Sequence, residues 1–298
     1  MPTAIQDWMA RNNHGSSTFL PDVADRGVRH AEREIIKMEG DTVSPHVIRK
    51  LELVEPLDKV EKEMILSACS DIRSVPRRRD IISDGDSPEF LHLVVEGWAA
   101  RYKILKDGSR RITAFMLPGD FCDLHATLLH AMDHAILAVT NCRIAYVANE
   151  EIDRITKVSA TLARAFWRAT LVDEAILRQW LVNSGRRNAF EAVAHLLCEL
   201  HFRSQLIGLG SARLALPLTQ EDLADASGLT AVHVNRMLQR MRKEGLIEMA
   251  NGQLFVPDVR ALRQSCGFDP NYFHLRLSDD YPSDRPEHLS DATLESLA

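Results

Sequence analysis

The chain has few cysteines, and no two of them lie close together in the sequence. Five of its 298 residues are cysteine, an odd number at scattered positions: Cys69, Cys122, Cys142, Cys198 and Cys266. Zinc and iron–sulfur centres usually draw on closely spaced cysteines, such as a CxxC pair. Because no such pair occurs, the sequence disfavours these centres and predicts buried, inert thiols.

Long apolar runs are also missing. No run approaches the roughly 18 residues that a helix needs to cross a bilayer, and the first residues, MPTAIQDWMARNN, lack the cationic start and apolar core of a signal peptide. Hydrophobic residues make up 45% of the chain and charged residues 26%, which suits two buried cores of roughly 100 residues each. We therefore expect a cytoplasmic protein with more than one domain and no membrane partner.

The common catalytic motifs are absent as well. The chain contains no Gly-rich phosphate loop, no GxSxG and no HExxH. The paired carboxylates Asp279 and Asp280 lie in an acidic segment near the C-terminus. We expect neither enzymatic activity nor a bound cofactor.

Residues 219–243, TQEDLADASGLTAVHVNRMLQRMRK, have the pattern of a helix, a short turn and a second helix. Thr219 and Thr230 are suited to cap the two helices, and Gly228 is suited to close the turn between them. One stripe of the second helix is apolar, formed by Val234, Met237, Leu238 and Met241. The opposite stripe is polar and basic, formed by His233, Arg236, Gln239, Arg240 and Lys243.

The charge around the second helix differs from that of the whole chain. Residues 230–243 carry four basic side chains and no acid, whereas the chain has a net charge of −6. Such a local excess suits a face that lies among phosphates. An ordinary helical hairpin with a solvated basic face is the alternative, but the next segment, LIEMANGQLFV, predicts two short strands around an Asn251-Gly252 hairpin turn. Helix-turn-helix plus hairpin is a winged DNA-binding module.

The two ends of the chain lack a sustained apolar period. Residues 1–43 mix Gly, Ser, Pro and charged residues, and residues 267–298 hold seven acids against two arginines. We predict a disordered N-terminal arm over residues 1–43 and an acidic disordered tail over residues 276–298.

Between Arg77 and Val147 the sequence changes to short strands separated by turn residues. The strands are RRRDIIS, FLHLVVEG, AARYKIL, RITAFML, AILAVT and RIAYV. Their spacing of about 8 to 12 residues indicates an antiparallel sandwich or barrel. A helical segment over residues 44–69 precedes them.

A long helix is predicted over residues 149–183, after the last strand. Its apolar residues recur at alternating spacings of four and three: Val158, Leu162, Ala165, Ala169, Val172 and Ile176. Phe166 and Trp180 lie beside this stripe. This stripe could pack on the chain's own barrel. A seam this long that leads into a DNA-binding module favours a two-stranded coiled coil. We predict a dimer interface formed by Val158, Leu162, Ala165, Phe166, Val172 and Ile176.

In this order the parts resemble the CRP/FNR family of bacterial transcription regulators, over residues 44–275. The resemblance rests on VVEGWAARYKILKDGSRRITAFMLPGDF, on the long helix and on LTQEDLADASGLTAVHVNRMLQRMRKEGLI. It implies an α+β fold: an antiparallel β-roll of the cyclic-nucleotide-binding type (residues 44–148), a dimerisation helix (149–184) and a C-terminal winged helix-turn-helix domain (185–275). It also implies a homodimer on palindromic double-stranded DNA, with surfaces that contact RNA polymerase.

The recognition helix departs from the family's pattern. The family usually has an Arg-Glu pair before a further Arg, and here Ala231 and Val232 occupy the first two positions while Arg236 is kept. Arg236 could bind guanine through two hydrogen bonds. The bases chosen at the other positions should differ from those that the family usually reads. Asn235 could instead turn back toward its own domain. The candidate DNA contacts are Thr219, Gln220, Thr230, Ala231, Val232, His233, Asn235, Arg236, Gln239 and Arg240.

The cyclic-nucleotide site is degenerate by the same comparison. Where binders in the family have a Gly-Glu pair, this chain has Asp123 and Leu124, and where they have Arg-Ser or Arg-Thr it has Asp133 and His134. An acid in place of the phosphate-binding arginine would repel the ligand. We therefore predict DNA binding without cyclic AMP. An inward-pointing arginine from the roll, among Arg101, Arg110 and Arg111, would restore the missing charge.

The sequence does not identify an effector. The side chains of His125, His130, Asp133 and His134 are of metal- or haem-ligand type, but surface histidines are common and we assign no metal. An unknown small ligand, or none, are the other possibilities. The rival function is a regulatory barrel that controls a partner protein through small-ligand binding rather than DNA readout, and the winged module argues against it.

Overall fold

The structure, a computed structural model, describes residues 46–124, 128–209 and 213–275. The predicted arm and tail lie outside these residues. The first helices are α1 (His46–Glu52) and α2 (Lys59–Ala68). The helical segment predicted over residues 44–69 thus consists of two helices with a break between them. Asp58 begins a new helix, because its side chain accepts a hydrogen bond from the Glu61 amide while the Glu61 carboxylate accepts one from the Asp58 amide.

The strands form two antiparallel sheets, as predicted for the roll. The orders are β1-β7-β3 and β2-β6-β4-β5. Pairs such as Leu93 with Ala145 and Arg101 with Ile136 set the register. The strands are β1 (Ile72–Val75), β2 (Asp80–Ile82), β3 (Phe90–Glu96), β4 (Ala99–Ile104), β5 (Arg110–Met116), β6 (Ala135–Ala138) and β7 (Cys142–Ala148).

The start of the roll differs from the prediction in one respect. Arg77, Arg78 and Arg79 are predicted to lie in a strand, but they lie in the turn between β1 and β2. Arg78 has a φ of 66°, in the left-handed region that a continuous strand does not use. The turn therefore presents three consecutive arginines to solvent.

The long helix after β7 is two helices, α3 (Asn149–Val158) and α4 (Ala160–Gly185). Ser159 separates them, because its backbone is extended and its hydroxyl accepts a hydrogen bond from the Leu162 amide at 3.0 Å. The same hydroxyl donates to the Glu61 carboxylate at 2.7 Å. The prediction of one uninterrupted helix is thus wrong at Ser159.

The predicted dimer stripe lies mostly on the inner face of α4. Leu162, Ala165 and Phe166 belong to one core cluster with the β-roll, and Ile176 belongs to another. All four are buried within the chain, Val172 is half-buried, and Val158 ends α3. Periodicity alone could not distinguish the two faces, because α4 is apolar on both. The outer face exposes Trp167, Leu171, Leu177, Leu181 and Val182.

The C-terminal part combines helices with a small antiparallel sheet of order β8-β10-β9. The Asn251-Gly252 turn joins β9 and β10 with positive φ at both residues, 51° and 71°, which confirms the predicted hairpin. The third strand, β8, was not predicted. The elements are α5 (Ala189–Leu206), β8 (Arg213–Ala215), α6 (Gln220–Ser227), α7 (Ala231–Lys243), β9 (Glu248–Ala250), β10 (Gln253–Phe255), α8 (Val259–Cys266) and a 3-10 helix (Pro270–Phe273).

The roll and the C-terminal part share a hydrophobic core. Phe115 and Leu117 of the roll pack in one cluster with Leu197 of α5 and Val234 of α7. In the part of the chain that the structure describes, no helix is long and apolar enough to span a membrane.

Candidate nucleic-acid interface

The helix-turn-helix is built by local hydrogen bonds at the predicted positions. The Thr219 hydroxyl accepts from the Asp222 amide at 3.1 Å, and the Asp222 carboxylate accepts from the Thr219 amide at 3.0 Å, so α6 begins with a capping box. Gly228 ends α6 with a φ of 69°. The Thr230 hydroxyl caps α7 by accepting from the His233 amide at 3.2 Å. These contacts determine where α6 begins and ends and where α7 begins.

The two faces of α7 are divided as the sequence indicates. Val234, Leu238 and Met241 are buried, and Met237 packs against the same core. The outer face has both apolar and basic members, since Val232 is 72% exposed and lies one turn from the exposed Arg236. The other candidate contacts are also at least partly exposed: Thr219, Gln220, Thr230, Ala231, His233, Asn235, Gln239 and Arg240.

The two arginines on this face have different surroundings. Within the described residues, Arg236 forms no ion pair, so its guanidinium is available for a base edge. Arg240 Nε lies 2.7 Å from Glu244 Oε1, and the Arg240 guanidinium lies 4.3 Å from the centre of the Phe190 ring. Arg240 is therefore tied to α5 as well as to its own helix, which the sequence pattern did not reveal.

A group of arginines from the β-roll holds α6. Arg110 Nη2 lies 2.8 Å from Asp222 Oδ1 and Arg110 Nε lies 2.7 Å from Asp225 Oδ2, while Arg78 Nη1 approaches the same Asp222 oxygen at 3.5 Å. Burial opposes ionisation of Asp222, but the hydrogen bonds from Thr219 and the two arginines outweigh it and lower the pKa of this carboxyl. From the sequence, Arg110 is a candidate only for the effector pocket, and its contacts with α6 are not predicted.

The degenerate effector positions Asp123, Asp133 and His134 lie next to one another in the roll. His134 Nε2 lies 2.8 Å from Asp123 Oδ2, and His134 Nδ1 lies 2.6 Å from Asp133 Oδ1. The His134 hydrogen bond lowers the pKa of Asp133. Asp123 and His134 are buried and Asp133 is exposed, so a histidine joins an inner and an outer acid. Leu124 is half-buried beside them.

Arg101 is the arginine that points into the roll, but its guanidinium already has hydrogen-bond partners. Arg101 Nη1 lies 3.0 Å from Asp173 Oδ2 of α4, and Arg101 Nη2 donates to the Cys122 carbonyl at 2.8 Å. Arg110 pairs with α6 instead, and Arg111 donates to the Ser184 hydroxyl of α4 at 2.6 Å. The three arginines thus already have partners within the chain: Asp173 for Arg101, Asp222 and Asp225 for Arg110, and Ser184 for Arg111.

A cavity of about 120 Å³ lies between the roll and α4, lined on one side by Arg101, Asp123 and Leu124. Pockets for small molecules usually have volumes of roughly 300 Å³ or more. The candidate metal ligand His125 lies outside the described residues. Among those that are described, no group of three or more His, Cys, Asp or Glu side chains is placed to hold a metal ion.

Two family models match the chain. A Crp-like helix-turn-helix domain matches residues 191–265, and a cyclic nucleotide-binding domain matches residues 72–158. The first match contains α6, the turn and α7, and the second contains every strand of the roll.

The chain is also similar to named regulators. It is 32% identical to the nitrogen fixation regulation protein FixK of Bradyrhizobium diazoefficiens, over 60% of this chain and 74% of that one. It is 27% identical to the transcriptional activator protein FnrL of Cereibacter sphaeroides, over 66% and 81%. The solved structure of FixK2 from Bradyrhizobium japonicum aligns with a TM-score of 0.60 and 26% identity, over 65% of this chain and 95% of that one. With its β-roll joined to a winged helix-turn-helix, the chain belongs to the CRP/FNR family of DNA-binding transcription regulators.

Proposed function

We propose that the protein binds a two-fold symmetric DNA site as a homodimer, without a cyclic nucleotide. The observation that carries the proposal is the exposed face of α7, where Arg236 stands without an ion pair among the described residues. Two such helices related by a two-fold axis would enter successive major grooves, about 10 base pairs apart. The family's shared activity, DNA-binding regulation, supports this proposal.

The outer face of α4 is the proposed dimer seam. Trp167, Leu171 and Leu181 are 73%, 48% and 73% exposed, which is unusual for large apolar side chains on one face of a helix. Residues 167, 171, 174, 178 and 181 alternate by four and three, the spacing of a two-stranded coiled coil. Glu174 and Arg178 pair with each other on this face, at 3.1 Å. A second copy of the chain would cover the apolar side chains.

Independence from cyclic nucleotides follows from the charges in the roll. A cyclic phosphate carries one negative charge, and the acids Asp133 and Asp123 both bind His134 where that charge would lie. Arg101 would have to leave Asp173 to bind it. Binding the nucleotide would therefore break the ion pair between Arg101 and Asp173, and the small cavity supports the same conclusion.

Two further parts of the proposal follow from DNA binding itself. A regulator that acts at promoters meets RNA polymerase, and we include this enzyme among its partners. Because its target is DNA, we also propose that the protein acts in the cytoplasm. It would act there as a DNA-binding protein and not as an enzyme.

The test is DNA binding by the purified protein, with and without cyclic AMP or cyclic GMP. We expect the same mobility shift in both conditions and no heat of binding for either nucleotide in calorimetric titration. A shift that requires nucleotide, or a dissociation constant in the low micromolar range, would overturn this part of the proposal.

A further inference from the structure

The chain continues beyond α8 in a short segment with its own local structure. Gly267 ends α8 with a φ of 63°, in the left-handed region, and the Phe268 amide donates back to the last turn of α8 at 3.0 Å. The Asp269 carboxylate then accepts from the Asn271 amide at 2.9 Å and begins the 3-10 helix. We call residues 268–275 the C-terminal strap.

Aromatic rings of the strap pack against α5. The centre of the Phe268 ring lies 5.1 Å from that of His195 and 6.0 Å from that of Phe202. The centres of the Phe273 and Phe202 rings are 5.0 Å apart. Phe268 and Phe273 are only 6% and 2% exposed. Burial of two such rings holds the strap in place, because each removes a large apolar surface from water.

The strap also reaches α4 and the roll through one buried carboxylate. The Tyr272 hydroxyl donates to Glu199 Oε2 at 3.4 Å, and the Trp180 indole of α4 donates to the same oxygen at 3.0 Å. Burial raises the pKa of Tyr272, so its hydroxyl keeps the proton that it donates. Arg203 Nη1 lies 3.2 Å from Glu199 Oε1, and Arg203 Nη2 lies 2.9 Å from Asp120 Oδ2 of the roll.

Two side chains of the strap line the cavity between the roll and α4. They are Phe273, which is buried, and Leu275, which is half-buried. The degenerate effector positions Asp123 and Leu124 line the same cavity, and so do residues of α4. The strap therefore makes, from within the chain, apolar contacts of the kind that a bound small molecule would make in this space.

We propose that the C-terminal strap acts as a built-in ligand. It fills part of the cavity between the roll and α4, and it holds the DNA-binding domain, α4 and the roll in the arrangement that binds DNA. This inference rests on the proposed function, because it explains how DNA binding can proceed without a nucleotide. A group that belongs to the chain is present at a high effective concentration and needs no signal to bind.

The test compares variants of the full chain with the parent. F273A/L275A removes the two side chains of the strap that line the cavity. F268A is the matched control, because it removes a buried ring of the same strap whose ring contacts are with α5. L275A alone is a milder variant, since it changes only a half-buried side chain. Amide hydrogen exchange measures local opening, and mobility shifts measure DNA affinity.

In F273A/L275A we expect faster exchange in the roll at residues 116–124 and in α4 at residues 169–176, because both segments line the cavity. Affinity for a site selected by the parent should fall about tenfold, within the usual range of coupling between two sites in one protein. L275A should change both quantities in the same direction by a smaller amount. F268A should speed exchange in α5 and α8 but leave exchange in the roll and DNA affinity like those of the parent.

Unchanged exchange in the roll of F273A/L275A would overturn the inference, and so would an unchanged DNA affinity of that variant. An equal effect of F268A on the roll would also overturn it, since the strap would then only stabilise the DNA-binding domain. If F273A/L275A does not fold, L275A decides by the same criteria. Failure of the parent to select any symmetric site would contradict the proposed function instead, and the exchange comparison would still test the strap.

Discussion

Arg110 binds Asp222 across the boundary between the sensor roll and the DNA-binding domain. Its Nη2 lies 2.8 Å from an Asp222 oxygen, and the Asp222 carboxylate also completes the capping box of α6 with Thr219. One buried carboxylate therefore shapes the helix-turn-helix and attaches it to β5. A change in the roll that moves Arg110 would act directly on the first helix of the module.

Replacing Arg110 with Ala should reduce the free energy of unfolding by about 2 kcal/mol, the range for hydrogen bonds to charged groups. Asp222 would keep Thr219 and Arg78 but lose its closest guanidinium. Urea titration measures the change. Arg154→Ala is the control, because its pair with Glu151 is a surface i,i+3 bridge that contributes little. Equal stability of the two variants would contradict a structural role for Arg110.

Stability should fall in mild acid because of His195. Burial, with help from the charge of Arg187, lowers the pKa of this histidine to about 3. In the unfolded chain a histidine has a pKa of about 6.5, so between these values the unfolded state binds more protons than the folded state and stability decreases as pH falls. At pH 5 the loss is about 2 kcal/mol.

His195→Gln should remove this part of the pH dependence. The slope of unfolding free energy between pH 6.5 and pH 4.5 should be flatter in the variant than in the parent, whatever the absolute stabilities. Identical slopes would contradict this account, because they would mean that His195 binds a proton as readily in the folded protein as in the unfolded chain.

The two faces of α4 should respond differently to a buried charge. Trp167→Glu would place like charges across the proposed seam, and we expect a folded monomer in sedimentation at micromolar concentration. Leu162→Glu would bury an unpaired carboxylate inside the chain's own core and should prevent folding. A dimer that survives Trp167→Glu would exclude the outer face as the seam.

Sequence reasoning succeeded where the signals are local. Thr219, Gly228 and Thr230 act within a few residues of themselves, and the Asn251-Gly252 pair requires nothing beyond its own hairpin. It failed where the structure depends on contacts between residues that are far apart in the sequence. The packing of Leu162 depends on which side of α4 meets the roll, and the helix break at Ser159 involves Glu61, nearly a hundred positions earlier.

The candidate sites likewise combine positions that the sequence indicates with contacts that only the fold creates. The degenerate positions Asp123 and Asp133 were visible in the sequence, but their shared partner His134 and the engagement of Arg101 by Asp173 depend on the fold. The Arg110 contacts with α6 join residues over a hundred positions apart. No periodic pattern could indicate them.

Arg236 should determine one base pair in each half-site. Arg236→Ala is expected to weaken binding to the selected site by about 1–3 kcal/mol and to relax the preference at that base pair. Lys243→Ala, also on α7, should weaken all sequences alike and reduce the salt dependence. Competition assays with single-base variants of the site compare the two. Equal base preference in the parent and in Arg236→Ala would contradict the role assigned to this arginine.

Selection of bound DNA from random fragments by the purified full chain tests most directly whether α7 reads a symmetric site as part of a dimer. The expected result is an enriched inverted repeat, its half-site centres about 10 base pairs apart, recovered without added nucleotide and with one base pair per half-site that loses its preference in Arg236→Ala. Recovery of a single unrepeated motif, or no enrichment over the starting pool, would contradict it.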